Sequence, residues 1–136
     1  LIQTLEQAGC YVVGDDLLLG LRSIVGDIAE DEDPLRALAL AYLEQGVSCP
    51  SRFERHGHNG EALVEKARAL EADGVLLAAP SFCDPALLEQ PMAVEALERA
   101  GIAYTAFKYA ENMGQYQEIR EQAGTFADSI RLWSEA

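Results

Sequence analysis

The stretch "EALVEKARALEADGVLLAAPSFCDP", residues 61–85, decides the fold. Its first half has the composition and spacing of a helix, and the apolar run "VLLAAP" that follows is typical of a buried strand. Working outward, the same patterns predict strands at 10–16 and 102–109 and further helices at 1–8, 34–46, about 85–100 and 114–133. Alternating helices and strands predict an α/β fold of three layers, in which a short parallel sheet carries helices on both faces in a Rossmann-like or flavodoxin-like layout.

Glycine and proline residues mark the expected ends of these helices. Gly9 and Gly101 each follow a predicted helix and end it, because glycine readily adopts the left-handed conformation. Asp33 is expected to cap the helix whose first turn holds Pro34. Pro91 lies inside the predicted helix at 85–100 and is expected to break or kink it into two pieces. The last helix is expected to bury one face, made of Ile119, Ala123, Phe126, Ala127 and Ile130.

Length and composition bound the class of protein. The chain of 136 residues has the size of one domain, and because "LIQTLEQAG" reads as a helix already under way, we expect a fragment of a longer protein. A net charge of −13 disfavours nucleic acid and anionic membranes as partners. No apolar run approaches the ~18 residues of a membrane span. Three cysteines without a CxxC pair do not form a secreted disulfide framework, so a cytoplasmic location is expected.

Candidate functional residues follow the predicted strands. Ligands of open parallel sheets bind beyond the carboxyl ends of the strands. Arg22 follows the first predicted strand, Cys83 the second, and Lys108 lies at the end of the third. The G-x-G-x-x-G fingerprint and the P-loop are both absent from the sequence, which disfavours ordinary nicotinamide and nucleoside triphosphate enzymes.

The three cysteines have different surroundings. Cys10 starts a predicted strand and is expected to be a structural thiol. For Cys83 and Cys49 the residues alone leave packing, metal binding and reactivity open. Two thiols do not complete an iron–sulfur or zinc site, which normally has three or four ligands. His56 and His58 share a loop with Cys49 and could contribute to a zinc site, but two histidines in a polar loop are more often solvated. A nucleophilic site with Cys83 as nucleophile and a histidine as base has no support from spacing.

Four segments follow one another in a specific order: "YVVGDDLLLGLR", "DPLRALALAYLEQGVSCPSRF", "ADGVLLAAPSFCDPALLEQP" and "GIAYTAFKYAENMGQYQEIREQAGTFAD". The order resembles the carboxyl-terminal domain of 2-hydroxyacyl-CoA dehydratase and benzoyl-CoA reductase subunits. Its most specific parts are an Asp-Asp pair followed by Gly-x-Arg, an "FCDP" loop followed by Glu-x-Pro, and a "GQ" that opens the last helix. Leu18 stands where many members have a cysteine, so one thiolate of a full cluster set is missing, which fits reductase-type small subunits or a divergent paralogue better than a typical dehydratase.

The resemblance implies an architecture and a reaction. Residues 1–136 would be the second α/β domain of a two-domain subunit that holds a 4Fe-4S cluster between its domains with cysteine thiolates. A second homologous subunit and an ATP-dependent activator protein would be partners, the activator supplying low-potential electrons. The reaction would reduce an acyl-CoA thioester, either for dehydration through a ketyl radical or for reduction of an aromatic ring.

The resemblance also implies roles for individual residues. Cys83 in "FCDP" matches the family's cluster ligand in this domain, and Cys49 in "SCP" lies where members often have cysteine. The charge of Arg22 and Lys108 makes them the candidates for binding the coenzyme A phosphates, and the alternative for each is a surface ion pair. The isolated chain is expected to be inactive and to bind no cofactor. The alternatives are a non-catalytic scaffold or subunit-interface domain of the same fold, and a stand-alone small-molecule binder of flavodoxin type.

Overall fold

The computed structural model describes residues 1–16, 26–30, 33–46, 59–110, 114 and 116–134. These residues form two compact units, one from Leu1–Gly14 and Pro50–Ala136 and the other from Asp15–Cys49. The smaller unit contains the helix α2, and the larger unit contains all the other elements. In chain order the elements are α1 (Ile2–Gln7), α2 (Pro34–Glu44), α3 (Asn59–Ala69), β1 (Gly74–Pro80), α4 (Asp84–Ala100), β2 (Ala103–Tyr109) and α5 (Tyr116–Ser134).

The larger unit is built on a parallel pair of strands. β1 and β2 pair in register from Gly74 opposite Ala103 to Pro80 opposite Tyr109, and α4 makes the crossover between them. Because successive side chains of a strand point to opposite faces, each strand contributes to two cores. A parallel pair joined by a helix is the basic unit of α/β proteins. The predicted α/β class is therefore confirmed.

Each face of the sheet is covered by two helices. On one face Leu76, Ala78 and Phe107 pack with residues of α1 and α5, among them the buried Leu5 and Ala123. On the other face Val75, Leu77 and Tyr104 pack against α3 and α4, whose Val64, Ala96 and Leu97 are buried. The described part of the larger unit thus has the three layers that the sequence predicts.

The strand predicted at residues 10–16 does not form. None of these residues belongs to a strand, and the sheet of the described residues has two strands. Cys10 and Val12 pack against the core of α1 and α5, whereas Tyr11 and Val13 are exposed. Burial therefore alternates along this segment as it does along a strand. The strand prediction was wrong because a strand also needs a hydrogen-bonded neighbour, which a short apolar run does not specify.

Pro91 does not divide its helix. α4 runs without a break from Asp84 to Ala100 with Pro91 inside it, so the expected break into two pieces was wrong. Proline removes one backbone hydrogen bond from a helix interior. Here the next turns are held by burial of Ala93 and Leu97, so packing of the helix offsets that loss.

The other helix ends follow the sequence. Gly9 has a φ of +97° after α1, and Gly101 ends α4 with a φ of +68°. The carboxylate of Asp33 accepts hydrogen bonds from the amides of Leu35 and Arg36 at 3.1 and 3.2 Å, so Asp33 caps α2 as predicted. The expected face of α5 is also confirmed: Ile119, Ala123 and Ala127 are buried, and Phe126 and Ile130 are half-buried.

No helix within the described ranges combines the length and the hydropathy that crossing a lipid bilayer requires.

Candidate functional site

The carboxyl edge of the sheet is held together by backbone hydrogen bonds. β1 ends at Pro80 and β2 at Tyr109, which are opposite each other in the register. The amide of Ser81 donates a hydrogen bond of 2.7 Å to the carbonyl of Tyr109, so the loop after β1 remains attached to the end of β2. The amide of Cys83 donates to the carbonyl of Pro80 at 3.1 Å, which closes a four-residue turn. Cys83 therefore follows the strand in a short, fixed connection.

Cys83 occupies the N-cap position of α4. Its carbonyl accepts a hydrogen bond of 3.1 Å from the amide of Leu87, and its side chain makes no capping hydrogen bond. The residue is half-buried, so its thiol lies at the surface of the domain without being fully solvated. The amino end of a helix carries partial positive charge, which favours negatively charged groups such as a metal-bound thiolate.

Lys108 lies at the same edge of the sheet. It is the residue before the end of β2, it pairs in register with Ala79, and it is exposed. By the alternation of the strand it belongs to the face that carries Tyr104, which is the face covered by α3 and α4. The structure thus places Cys83 and Lys108 in the carboxyl-edge region of one sheet, as the sequence predicts.

The other predicted site residues lie outside the described part of the chain. They are Arg22 and Cys49, and the same holds for Leu18 and for the two histidines, His56 and His58. Their roles remain predictions.

Cys83 fits a single ligand position of a cluster. It offers a half-buried thiol that is not engaged in capping its helix, in a turn fixed by the backbone. Within the described ranges no three residues among histidine, cysteine, aspartate and glutamate are grouped so that they could hold a metal ion. A cluster normally has four protein ligands, so Cys83 alone would not hold one.

Cys10 has a different environment from Cys83. It packs against the core of α1 and α5, and its Sγ lies 3.9 Å from the carbonyl oxygen of Ala123 in α5. Burial raises the pKa of the Cys10 thiol, and the nearby Arg131 guanidinium partly opposes that rise. A half-buried thiol that packs against a core and has a raised pKa fits the structural role that the sequence predicts for Cys10.

Phe82 is a feature of the site that the sequence does not reveal. Its φ is +67°, in the left-handed region, and its side chain is 96% exposed. Glycine and asparagine are the residues that predict such a backbone, and a phenylalanine gives no signal for it. Only the structure identifies the turn at Phe82 as strained.

The structure is a three-layer α/β unit with a cysteine in the loop after its first strand. Comparison with known proteins shows which family of α/β proteins it belongs to. The chain belongs to the family of the 2-hydroxyglutaryl-CoA dehydratase D-component, whose model matches residues 1–130. The resemblance stated from the motifs is therefore confirmed. No solved structure matches the chain.

Three curated relatives are subunits of enzymes named for coenzyme A thioesters. One benzoyl-CoA reductase subunit, from Thauera aromatica, is 47% identical over 135 residues, which is 98% of this chain and 35% of the relative. The (R)-phenyllactyl-CoA dehydratase beta subunit of Clostridium sporogenes is 25% identical over 130 residues, 96% of this chain and 34% of the relative. The lactoyl-CoA dehydratase beta subunit of Anaerotignum propionicum is 24% identical over 120 residues, 88% and 32% respectively. The chain spans about a third of the length of these relatives.

Proposed function

We propose that this chain is part of an iron–sulfur subunit of an acyl-CoA reductase or dehydratase, in which low-potential electrons reach an aromatic or 2-hydroxyacyl-CoA thioester. The observation that carries the proposal is the position of Cys83, at the N-cap of α4 beyond the carboxyl end of β1, in a chain of this family. Residues 1–136 would form the second domain of a two-domain, cytoplasmic subunit. Its partners would be a second homologous subunit and an ATP-dependent activator protein.

Cys83 would serve as a thiolate ligand of a 4Fe-4S cluster. The turn that fixes its backbone and the half-buried position of its side chain suit a ligand that is held in one place. Cys49 would be a second thiolate, and further ligands would come from elsewhere in the subunit. When bound, such a cluster supplies one-electron reduction at low potential. The backbone amides and apolar residues around a ligand tune that potential.

Lys108 and Arg22 would bind the phosphates of coenzyme A. Lys108 is exposed at the carboxyl edge of the sheet, where a ligand of an open parallel sheet binds. Ammonium and guanidinium groups form charge-assisted hydrogen bonds to phosphate. In a chain with a net charge of −13, an anionic substrate needs such local positive charges.

Anaerobic reconstitution of the full-length subunit with iron and sulfide tests the proposal. The wild type is expected to develop iron–sulfur charge-transfer absorption, which Cys83→Ser removes or strongly reduces. Cys10→Ala is the matched control, because Cys10 packs half-buried against the core of α1 and α5 and does not belong to the turn that carries Cys83, and it should retain the absorption.

Two other outcomes would support the alternatives. A folded wild-type subunit that never develops the absorption would indicate a non-catalytic scaffold or subunit-interface domain. Purification with a flavin or nucleotide and without iron would indicate a small-molecule binder instead. Retention of the full absorption by Cys83→Ser would remove Cys83 from the ligand set.

A further inference from the structure

Helix α2 exposes an apolar face. Positions 35, 38, 39, 42 and 43 have the spacing of one face of an amphipathic helix, and all of them are exposed. Ala37 and Ala41, on the other side of the helix, are buried. The small side chains are therefore buried and the large ones exposed, although a helix normally buries its larger apolar residues. We call the five exposed residues the α2 face: Leu35, Leu38, Ala39, Tyr42 and Leu43.

The exposure is greatest near the centre of the α2 face. Leu35 is 77% exposed, and Tyr42, seven residues further along the helix, is 63% exposed. Single exposed apolar residues are common on soluble proteins and need no explanation. Four large ones on one face of an 11-residue helix form a contiguous patch, and such patches mark sites that another surface covers.

Charge beside the α2 face restricts what can cover it. Residues 27–33, "DIAEDED", directly precede the helix, and five of these seven are acidic. Asp27, Glu30 and Asp33 are exposed. A second copy of the chain would bring its own acidic segment and a net charge of −13 to the contact. Because like charges oppose one another across an interface, a covering surface with basic residues at its rim fits better than a second copy.

The size of the α2 face favours a segment of the same polypeptide over a separate protein. An 11-residue helix is about 16 Å long, so one face of it offers on the order of a few hundred Å². A stable interface between separate proteins buries about 800 Å² on each partner. A covalently linked segment docks at an effective concentration on the order of mM, so a smaller contact suffices. The curated relatives extend well beyond the third of their length that this chain matches.

Resting on the two-domain subunit proposed above, we propose that a segment of the same polypeptide, outside residues 1–136, covers the α2 face. The covering surface is apolar where it meets Leu35 and Leu38. It carries basic side chains where it passes the acidic residues that precede the helix. The contact involves neither Cys83 nor Lys108, so α2 is a docking element whose role is separate from the binding of a cluster or of coenzyme A.

Thiol labelling of the full-length subunit tests the proposal. The tryptic peptide 23–36, "SIVGDIAEDEDPLR", contains Leu35 and no cysteine, so mass spectrometry follows a thiol introduced there by itself. The ratio of the labelling rates in urea and in buffer cancels the intrinsic reactivity of each thiol. With N-ethylmaleimide, Leu35→Cys is expected to react about tenfold more slowly in the native subunit than in urea, because the α2 face is covered. Ala29→Cys is the matched control, exposed in the same peptide, and it should react at nearly equal rates in both.

The labelling also identifies what covers the face. Protection of Leu35→Cys that is the same at all concentrations of the subunit alone supports a segment of the same polypeptide. Equal rate ratios in Leu35→Cys and Ala29→Cys would overturn the proposal, because the face would then be open. Protection that disappears on dilution would indicate a second copy, and protection that requires the homologous subunit would indicate that partner. Either of these results would also overturn the proposal.

Charge reversal tests the basic rim. In the Leu35→Cys background, Glu30→Lys should raise the labelling rate about two- to fivefold, because a cation then faces the basic side chains of the covering surface. Glu65→Lys makes the same change of charge at an exposed position of α3 and should leave the rate unchanged. An unchanged rate in Glu30→Lys, or equal increases in both variants, would overturn the basic rim.

Thermal unfolding gives a second measurement that needs no introduced thiol. Leu35→Asp should lower the unfolding midpoint of the full-length subunit by about 2–4 °C, because it places a carboxylate in an apolar contact. Ala29→Asp should leave the midpoint unchanged, and an unchanged midpoint in Leu35→Asp would contradict the burial of this position.

The fate of the α2 face and the fate of the cluster can be told apart. A subunit that protects Leu35→Cys but never develops iron–sulfur absorption would contradict the proposed function and leave the docking of α2 intact. A subunit that develops the absorption while Leu35→Cys stays unprotected would contradict the docking alone.

Discussion

Ser81, one residue beyond the last paired position of β1, donates a hydrogen bond of 2.7 Å from its amide to the carbonyl of Tyr109 at the end of β2. This bond extends the contact between the two strands into the loop that carries Cys83. Lys108 directly precedes Tyr109. The segments that carry Cys83, the proposed cluster ligand, and Lys108, the proposed coenzyme A contact, are therefore linked by a backbone hydrogen bond. Placement of both residues therefore depends on the register of a single pair of strands.

Substitution of Lys108 is expected to weaken the binding of acyl-CoA. In the assembled enzyme, Lys108→Gln should raise KM for the acyl-CoA about ten- to 150-fold and change kcat little, because the proposed charge-assisted hydrogen bond would contribute about 1.5–3 kcal/mol. The dependence of KM on salt should also become weaker, because the proposed phosphate contact would have lost its charge. Steady-state kinetics at two ionic strengths measure both effects.

Lys66→Gln provides the control for that experiment. Lys66 is exposed in the last turn of α3, just before the amino end of β1, and its substitution changes the net charge of the chain by the same amount. KM is expected to stay at the wild-type value in this variant. Equal changes in both variants would show a general effect of charge and would argue against a coenzyme A contact at Lys108.

Two helical glycines are expected to respond to alanine in opposite directions. A β-carbon at Gly60 of α3 would lie 2.8 Å from the β-carbon of Ala96 and 2.8 Å from the carbonyl oxygen of Met92, where α3 packs on α4. Gly60→Ala should therefore lower the free energy of unfolding by about 1–3 kcal/mol. A β-carbon at Gly124 of α5 has its nearest neighbour, the carbonyl of Ala8, at 3.4 Å. Gly124→Ala should raise the free energy of unfolding by about 0.5–1 kcal/mol, because alanine favours the helix.

Urea unfolding of the two alanine variants measures both changes. Because they are the same substitution in two helices of one unit, the effect of helix propensity is common to both. A neutral or stabilising Gly60→Ala would contradict the close packing of α3 on α4.

Removal of the cap of α2 is expected to loosen the first turn of that helix. The Asp33 carboxylate satisfies the amides of Leu35 and Arg36, and Asp33→Ala should cost about 1 kcal/mol of local stability. Hydrogen exchange at these two amides should become about fivefold faster in Asp33→Ala. Asp33→Asn keeps an oxygen acceptor and should exchange at nearly the wild-type rate. Slow exchange in Asp33→Ala would mean that these amides are protected by something other than the cap.

The sequence predicts those parts of the fold that depend on local chemistry. Asp33 caps α2, Gly101 ends α4, and the apolar spacing of α5 identifies its buried face. These features are set by the hydrogen-bonding groups and side chains of a few neighbouring residues. The order of helices and strands then predicts a parallel sheet covered on both faces.

Features that depend on distant residues were not predictable in the same way. Cys10 and Val12 alternate with exposed neighbours as in a strand, but pairing requires a partner elsewhere in the chain. Pro91 is tolerated because Leu97 and its neighbours are packed by other elements. The left-handed turn at Phe82 is fixed by the bonds around it, and a phenylalanine does not predict that backbone. For the site, the family motifs predict the role of Cys83, and the structure adds the geometry of its turn.

Alkaline conditions are expected to destabilise the larger unit through Cys10. Burial raises the pKa of this thiol above its ordinary value of 9.0, so the folded state holds the proton more tightly than the unfolded state does. The contribution of Cys10 is therefore complete below pH 9 and is lost as the pH rises through the folded-state pKa. Urea unfolding between pH 8 and about 10.5 should show a decline that is steeper in the wild type than in Cys10→Ala.

Arg131 provides a second test of the same physical picture. Its guanidinium favours the Cys10 thiolate and so opposes the effect of burial. Arg131→Gln should raise the pKa of Cys10 further. When the folded protein is alkylated with iodoacetamide over a range of pH, the midpoint for Cys10 should therefore move to higher pH. Cys10 is followed by mass spectrometry in the tryptic peptide 1–22. Tyr104 also has a raised pKa, caused mainly by its hydrogen bond to Glu98, but Arg131→Gln leaves that pair intact. A midpoint that moves downward in Arg131→Gln would show that the thiol responds to the loss of packing by the arginine rather than to its charge, because greater solvation lowers the pKa of a buried thiol.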